Sequence, residues 1–153
     1  MSDVDRLLAI AKERGLAVTV GGVNMAALAG EETKANGVVM LPLPPSTNNL
    51  FVNAGKRRVV SKEYKGWRES VSITLALFRP PVPRPFAVRI TLVGGEGLNM
   101  GRDLGNIEKP ITDALVDGGV IPGDSLRDGL HGITLAYREG DERAYVEVAV
   151  TNP

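Results

Sequence analysis

The stretch 101–124 constrains the fold of this chain more than any other segment. Its apolar residues recur at helical spacing, which predicts a helix over about 104–116. Pro110 lies inside that pattern, so the helix either begins near Ile107 or is kinked. Two glycines then end the helix, and a Pro-Gly turn presents Asp124.

A second helix is predicted over residues 62–78, where apolar side chains recur every three or four positions. Ser61 precedes it and is the expected N-cap. Tyr64 and Trp67 lie on the apolar face of this helix, and core packing explains them better than stacking on nucleic-acid bases.

Alternating apolar residues and turn signals predict the remaining elements. The expected strands are 38–43, 86–93, 133–138 and 144–150, with a hairpin over 51–60. We expect the last two strands to pair with each other as a hairpin. This order of elements favours an α+β fold, a mixed sheet with the helices packed mainly on one face.

The chain divides into an N-terminal extension, 1–37, and a main domain, 38–153. The extension is of uncertain order, with a helix expected over 3–14 and a short strand over 16–20. Its residues carry no functional motif. A packing or dimer-contact role is therefore its simplest interpretation.

Composition excludes several classes of protein. There are no cysteines and one histidine, which excludes disulfides, Cys-ligated zinc and a thiol nucleophile, and makes a Ser-His-Asp triad a poor explanation. The sequence has no 18-residue apolar run and no basic-then-apolar signal at its start. We therefore expect a cytoplasmic protein with no membrane partner.

The net charge of zero hides an asymmetry along the chain. Residues 56–89 hold nine Lys/Arg and two Asp/Glu, whereas residues 90–153 hold five Lys/Arg and eleven Asp/Glu. Such a chain can attract a polyanion with one segment and hold cations with the other. Two solvated faces of opposite sign explain the counts equally well.

The helix predicted in 104–116 carries a polar face that includes Asn106, Lys109 and Asp113, and Asp124 follows it. Mg²⁺ binds through one or two carboxylates together with water and substrate phosphate. A nearby lysine can stabilise the charge of a reacting phosphate. A solvated helix with two capped ends would carry the same residues, so this pattern alone does not establish a site.

Two segments of the chain resemble the signature of the RusA family of Holliday junction resolvases. They read Asp-Leu-Gly-Asn-Ile-Glu-Lys-Pro-Ile-Thr-Asp-Ala-Leu at 103–115 and Gly-Val-Ile-Pro-Gly-Asp-Ser at 119–125. The family pattern is Asp-x-Asp-Asn-x-x-Lys-x-x-x-Asp-x-Leu, then Gly-Val/Ile and a paired Asp-Asp. Leu-Pro-Pro-Ser-Thr-Asn at 43–48, with Ser-Lys at 61–62 and Trp-Arg at 67–68, is also similar to that family. The resemblance covers about 39–150.

The resemblance implies a homodimeric endonuclease that cuts four-way DNA junctions in recombination and repair, of a kind that phages and prophages often encode. It implies Mg²⁺ as cofactor, with Mn²⁺ as a possible substitute. By position, Asp103, Lys109 and Asp124 match catalytic residues, and Asp103, Asp124 and Asp113 are the expected metal ligands. Arg102 stands where the family has a basic residue that contacts DNA.

The chain departs from the family pattern at two positions. Gly105 replaces the second aspartate of the first motif, and Gly123 replaces the first aspartate of the Asp-Asp pair. A glycine supplies no side-chain oxygen, so the change at Gly105 removes a metal ligand and is expected to impair hydrolysis. Asp113 or Glu96 would then supply the missing metal ligand.

Three hypotheses follow from these observations. The first is a metal-dependent resolvase, and the second is a catalytically inactive protein of the same fold that binds branched DNA. The third is an interaction protein dominated by residues 1–36. The residues expected to bind DNA phosphates are Lys56, Arg57, Arg58, Lys62, Lys65, Arg68 and Arg102.

Overall fold

The structure, a computed structural model, describes residues 37–140 and 142–153, and the backbone of two short strands before them. The strands are β1 (Thr19–Val20), β2 (Val23–Asn24), β3 (Val38–Pro42), β4 (Phe51–Ala54), β5 (Arg57–Val60), β6 (Phe86–Val93), β7 (Leu130–Arg138) and β8 (Tyr145–Thr151). The helices are α1 (Lys62–Leu77) and α2 (Glu108–Asp117), with 3₁₀ turns at Thr47–Asn49, Leu104–Ile107 and Leu126–Asp128.

Six strands form one mixed sheet in the order β2-β1-β3-β8-β6-β7, and β4 pairs with β5 in a separate hairpin. β6 runs parallel to β7 and antiparallel to β8, which is also antiparallel to β3. This mixed sheet with two helices confirms the predicted α+β class. The predicted 51–60 hairpin is confirmed as well.

Both helices pack on one face of the sheet. Alternate residues of β6, including Val88, Ile90 and Leu92, are buried in the same apolar cluster as residues of both helices. Arg89 lies between them in sequence, so its side chain points to the opposite face, where it is exposed. Among residues 37–140 and 142–153, the result is a two-layer domain in which both helices lie on the same face of the sheet.

Helix α1 begins and ends where the local sequence predicts. The Ser61 side chain accepts a hydrogen bond from the backbone N–H of Tyr64 at 3.1 Å, which caps the first turn. Tyr64 and Trp67 are buried, which confirms their interpretation as core residues. The indole of Trp67 donates to the carbonyl of Pro42 at 3.0 Å and so attaches α1 to β3.

Helix α2 resolves the question that Pro110 raised. The α-helix begins at Glu108, after a 3₁₀ turn, so Pro110 lies in the first turn, where its missing N–H breaks no helical bond. Gly118 caps the other end. A Cβ atom at Gly118 would lie 2.9 Å from Leu75 Cβ, so the glycine allows α1 and α2 to approach closely.

The expected pairing of the last two strands is wrong. β8 lies between β3 and β6, whereas β7 pairs with the far side of β6. β6 is apolar on nearly every residue and belongs in the middle of a sheet, while most of β7 is exposed and suits an edge. The link after β7 crosses the end of β6 at Gly95, where a Cβ atom would lie 1.8 Å from the carbonyl oxygen of Glu142.

The N-terminal extension is described only in part. The expected helix over 3–14 lies outside the described residues, and the expected strand over 16–20 is described at Thr19–Val20. β1 pairs with β3 through Val20 and Val39, so this part of the extension continues the sheet. Neither helix of the described ranges has the length and apolar character needed to cross a membrane.

Candidate active site

Lys109 lies between two carboxylates that come from different parts of the chain. Its Nζ atom is 2.6 Å from Asp113 Oδ1 and 3.7 Å from Asp124 Oδ2. Asp113 is four residues further along α2, a spacing at which side chains share one helix face. Asp124 comes from the loop after α2. The structure therefore brings together three of the residues that the sequence singled out.

The neighbouring carboxylates raise the pKa of Lys109. The hydrogen bond that Lys109 donates to Asp113 is the largest cause, the charges of Asp113, Asp124 and Glu108 add to it, and partial burial opposes it. Lys109 is therefore positively charged at neutral pH. Because 51% of its side-chain surface is exposed, the ammonium group can meet an anion that approaches from solution.

Asp124 stands on a loop that is anchored in the core. Gly119 adopts a left-handed conformation (φ +68°) that ends α2, and the N–H of Val120 then donates to the carbonyl of Leu115 at 2.9 Å. Val120 and Ile121 are buried. These contacts fix where the chain turns, so the position of Asp124 relative to α2 does not depend on a free loop.

Gly123 packs against the turn that follows Asp124. A Cβ atom at position 123 would lie 2.2 Å from Asp128 Oδ2. That carboxylate accepts hydrogen bonds from the hydroxyl and the backbone N–H of Ser125, which lower the pKa of Asp128. A larger residue at position 123 must displace this carboxylate, which is a physical reason for the glycine found there.

Asp103 precedes the 3₁₀ turn Leu104–Ile107 and is exposed. Among residues 37–140 and 142–153, no three His, Cys, Asp or Glu side chains lie close enough together to hold one metal ion. Asp103, Asp113 and Asp124 therefore do not converge as a group of three. A Cβ atom at Gly105 would meet no atom within 4 Å, so the position has open space for the start of a side chain.

Asp113 and Asp124 are the carboxylates that converge in this arrangement, since both approach the same ammonium group. Mg²⁺ is commonly bound through one or two carboxylates, with waters and substrate phosphate completing its octahedron. The two aspartates are hard oxygen donors from separate elements. The residues present fit that mode of Mg²⁺ binding.

Arg102 is partly used inside the protein. Its Nη2 atom donates to the carbonyl oxygen of Pro44 at 2.7 Å, and its Nε atom is buried with no hydrogen-bond partner in the described part of the chain. Burial lowers the pKa of Arg102, and the charge of Glu63 opposes this shift. Thr47 adds a second link by donating to the carbonyl of Asn106 at 3.0 Å. The loop 44–49 is thus attached to the segment that leads into α2.

The other predicted DNA-binding residues divide into two groups. Arg68 on α1 forms an ion pair with Asp117 on α2, a partnership that the sequence did not predict. The remaining five side chains are exposed, three at the hairpin and two on α1: Lys56, Arg57, Arg58, Lys62 and Lys65. These five positive charges face solvent and can meet phosphates.

A cleft of about 310 Å³ joins the hairpin to the carboxylates. Its lining combines two hairpin residues, two residues of α1 and two of the aspartates described above: Phe51, Val60, Tyr64, Arg68, Asp113 and Asp124. Burial is the largest cause that raises the pKa of Tyr64, and the charge of Asp113 is the next. Sequence reasoning missed Phe51 and Val60, because only the tertiary structure brings the hairpin beside α2.

Comparison of the chain with models of protein families and with curated proteins finds no match to either.

Proposed function

We propose that this chain is a metal-dependent endonuclease that resolves four-way or other branched DNA, working as a homodimer whose two sites cut two strands. The observation that carries the proposal is the position of Lys109, 2.6 Å from Asp113 and 3.7 Å from Asp124. Metal-dependent hydrolysis of a phosphodiester uses such a combination of anionic metal ligands and a cation near the phosphate. The resemblance to RusA resolvases supports the same reaction.

The residues of the site have distinct proposed roles. Asp124 and Asp113 would hold Mg²⁺. Asp103, which the RusA resemblance implies as a further ligand, does not converge with this pair in the structure. When bound, Mg²⁺ supplies an activated water and polarises the phosphate. Lys109 is charged at neutral pH and stabilises the additional negative charge that develops on the phosphate during attack.

The basic hairpin and α1 supply the DNA-binding surface in this proposal. Lys56, Arg57 and Arg58 are exposed on the hairpin, whose residues Phe51 and Val60 also line the cleft that contains the carboxylates. Phosphates held by the hairpin therefore bring the neighbouring nucleotides beside the carboxylates. Contacts of this kind position DNA without reading its sequence.

Gly105 favours a second candidate function, which is binding of branched DNA without cutting. The exposed glycine supplies no carboxylate where the RusA pattern has one, and the part of the chain that the structure describes holds no group of three acidic ligands. Fewer carboxylates also reduce the repulsion of DNA phosphates. The basic surface is the same for both functions.

A nicking assay on a four-way junction with Mg²⁺ or Mn²⁺ tests the proposal. We expect slow cutting by the chain and acceleration on the order of 100-fold in Gly105→Asp, because the substitution restores a metal ligand. Lys109→Ala in the Gly105→Asp background should abolish the gain. Gly105→Asn is the matched control, since it adds a side chain of the same size at the same position without the carboxylate.

The outcomes separate the two candidates. Junction binding with no cutting by the chain, together with cutting by Gly105→Asp, identifies an inactivated nuclease that binds branched DNA. Absence of cutting by both proteins in either metal rejects the resolvase. Equal acceleration by Gly105→Asn shows that the effect does not come from an added metal ligand.

A further inference from the structure

We propose that Phe51, together with Arg58, forms a platform on which an unpaired base of the bound DNA stacks beside the carboxylates. The inference rests on the proposed function in that the ligand is branched DNA. It adds a recognition element for a base, whereas the residues discussed so far contact phosphates and metal. The ligand class is a nucleic acid that offers at least one unstacked base.

Phe51 is unusually exposed for a large aromatic residue. Phe51 is the first residue of β4, and 40% of its surface is accessible. Every residue of the two hairpin strands is exposed. Aromatic side chains are normally buried to a greater degree, since they bring a large apolar area into the core. An accessible ring on the wall of a cleft is a surface that a flat apolar ligand can cover.

The ring of Phe51 is supported from behind by the core. It meets Tyr64 edge to face, with centroids 6.5 Å apart and an interplanar angle of 68°. Tyr64 in turn stacks on Trp67 at 6.1 Å, and Trp67 is hydrogen-bonded to β3. A ring held in this way loses little conformational freedom when a base stacks on it, which favours binding.

Arg58 adds a cation to the platform. Its guanidinium carbon lies 5.0 Å from the centroid of the Phe51 ring. The hairpin register pairs Phe51 with Val60 and Asn53 with Arg58, which places all four side chains on one face of the hairpin. A guanidinium beside an aromatic ring can stack on a base and contact the adjacent phosphate.

The same face of the hairpin borders the candidate active site. Phe51 and Val60 line the cleft of about 310 Å³ together with Asp113 and Asp124, a volume at the lower end of ordinary small-molecule pockets. Bases within a duplex are covered on both faces by their neighbours, whereas the centre of a junction offers bases that can unstack. The platform therefore favours branched DNA over intact duplex.

The test of the inference measures DNA binding in Ca²⁺, so that the result does not depend on whether the protein cuts the DNA. The probes are a four-way junction with 2-aminopurine at its centre and a fully paired duplex of the same sequence. For Phe51→Leu we expect about tenfold weaker junction binding and loss of the fluorescence change, because aromatic stacking is removed, with unchanged duplex binding. Phe51→Tyr should retain both properties.

Val52→Ala is the control, because Val52 lies on the opposite face of the same hairpin and is also exposed. Unchanged junction binding and fluorescence in Phe51→Leu, or an equal loss in Val52→Ala, would overturn the inference. So would an equal loss of duplex binding. Circular dichroism and the unfolding midpoint of each variant establish that the fold is retained. If Phe51→Leu is unstable, Phe51→Met, another non-aromatic side chain, should show the same loss of junction binding and fluorescence change.

Failure of this inference can be told apart from failure of the proposed function. Junction cutting without any dependence on Phe51 removes the platform and leaves the nuclease. A Phe51-dependent fluorescence change without cutting by Gly105→Asp removes the nuclease and leaves the platform. Absence of any binding to junction DNA removes both.

Discussion

The acidic segment 108–124 and the basic hairpin 51–60 face the same cleft, yet they are built in opposite ways. Ile111, Leu115 and Ile121 bury the acidic segment in the core. The hairpin is exposed at all ten positions from 51 to 60. Catalytic groups require fixed positions, whereas a DNA-binding arm tolerates movement. In the function proposed above, the buried acidic segment carries the chemistry and the exposed hairpin captures the DNA.

The largest expected difference between the two regions is in stability. Ile111→Ala creates a cavity in a fully buried position and should lower the free energy of unfolding by about 3 kcal/mol. Val59→Ala, on the exposed hairpin, should change it by less than about 0.5 kcal/mol. Urea titrations monitored by tryptophan fluorescence measure both, and a similar cost at the two positions would contradict the contrast.

The next largest difference is in the salt dependence of DNA binding. Replacing Lys56, Arg57 and Arg58 by alanine removes up to three phosphate contacts. The slope of log affinity against log salt should therefore become less negative by about 2.7. Between 50 and 200 mM salt, the wild-type chain should therefore lose about 40-fold more affinity than the variant.

Arg89→Ala is the control for the salt experiment, since Arg89 is exposed on the sheet face opposite the helices. Its slope should remain that of the wild-type chain. Junction binding titrated over this salt range by anisotropy gives the slopes. A hairpin variant with the wild-type slope shows that the hairpin does not contact phosphates.

The smallest expected effect is the difference in stability between aspartate substitutions at two glycines, one inside the acidic segment and one just before it. Gly123→Asp must displace Asp128 from its hydrogen bonds with Ser125 and should cost about 1 kcal/mol of stability. The Cβ atom that Gly105→Asp adds would meet no atom within 4 Å, so this substitution should cost less than about 0.5 kcal/mol. Thermal unfolding of the two variants side by side distinguishes them, and equal costs would show that the contact at Asp128 is unimportant.

Local features of the fold were predictable from the sequence, because they depend on neighbouring residues. Ser61 caps α1 as expected, and the start of α2 just before Pro110 follows from the geometry of proline. The 51–60 hairpin turns at Gly55, which has a positive φ of 63°. Each of these outcomes requires only a short stretch of chain.

The position of β8 was not predictable in the same way. Adjacent strands joined by a short link often pair directly, and that rule predicted a β7–β8 hairpin. The requirement to cover both sides of the apolar strand β6 was stronger, so β7 and β8 lie on its two sides. The sequence contains the apolar pattern of β6, but it does not state which strands will cover it.

The candidate site shows the same division. The four-residue spacing of Lys109 and Asp113 already placed both side chains on one face of α2, because the helical repeat sets that relation. The approach of Asp124 to Lys109, the ion pair between Arg68 and Asp117, and the use of Arg102 to hold the loop at Pro44 depend on how separate elements pack.

The sequence by itself determined the helices, the caps, the turns and the face on which each charge lies, since these follow from backbone geometry over a few residues. Only the tertiary structure decided which strands are neighbours, which carboxylates meet Lys109 and that Phe51 borders the same cleft. Those relations join residues up to 111 positions apart in the printed sequence, from Val38 to Ala149. They arise when apolar surfaces are buried together, and no local pattern encodes them.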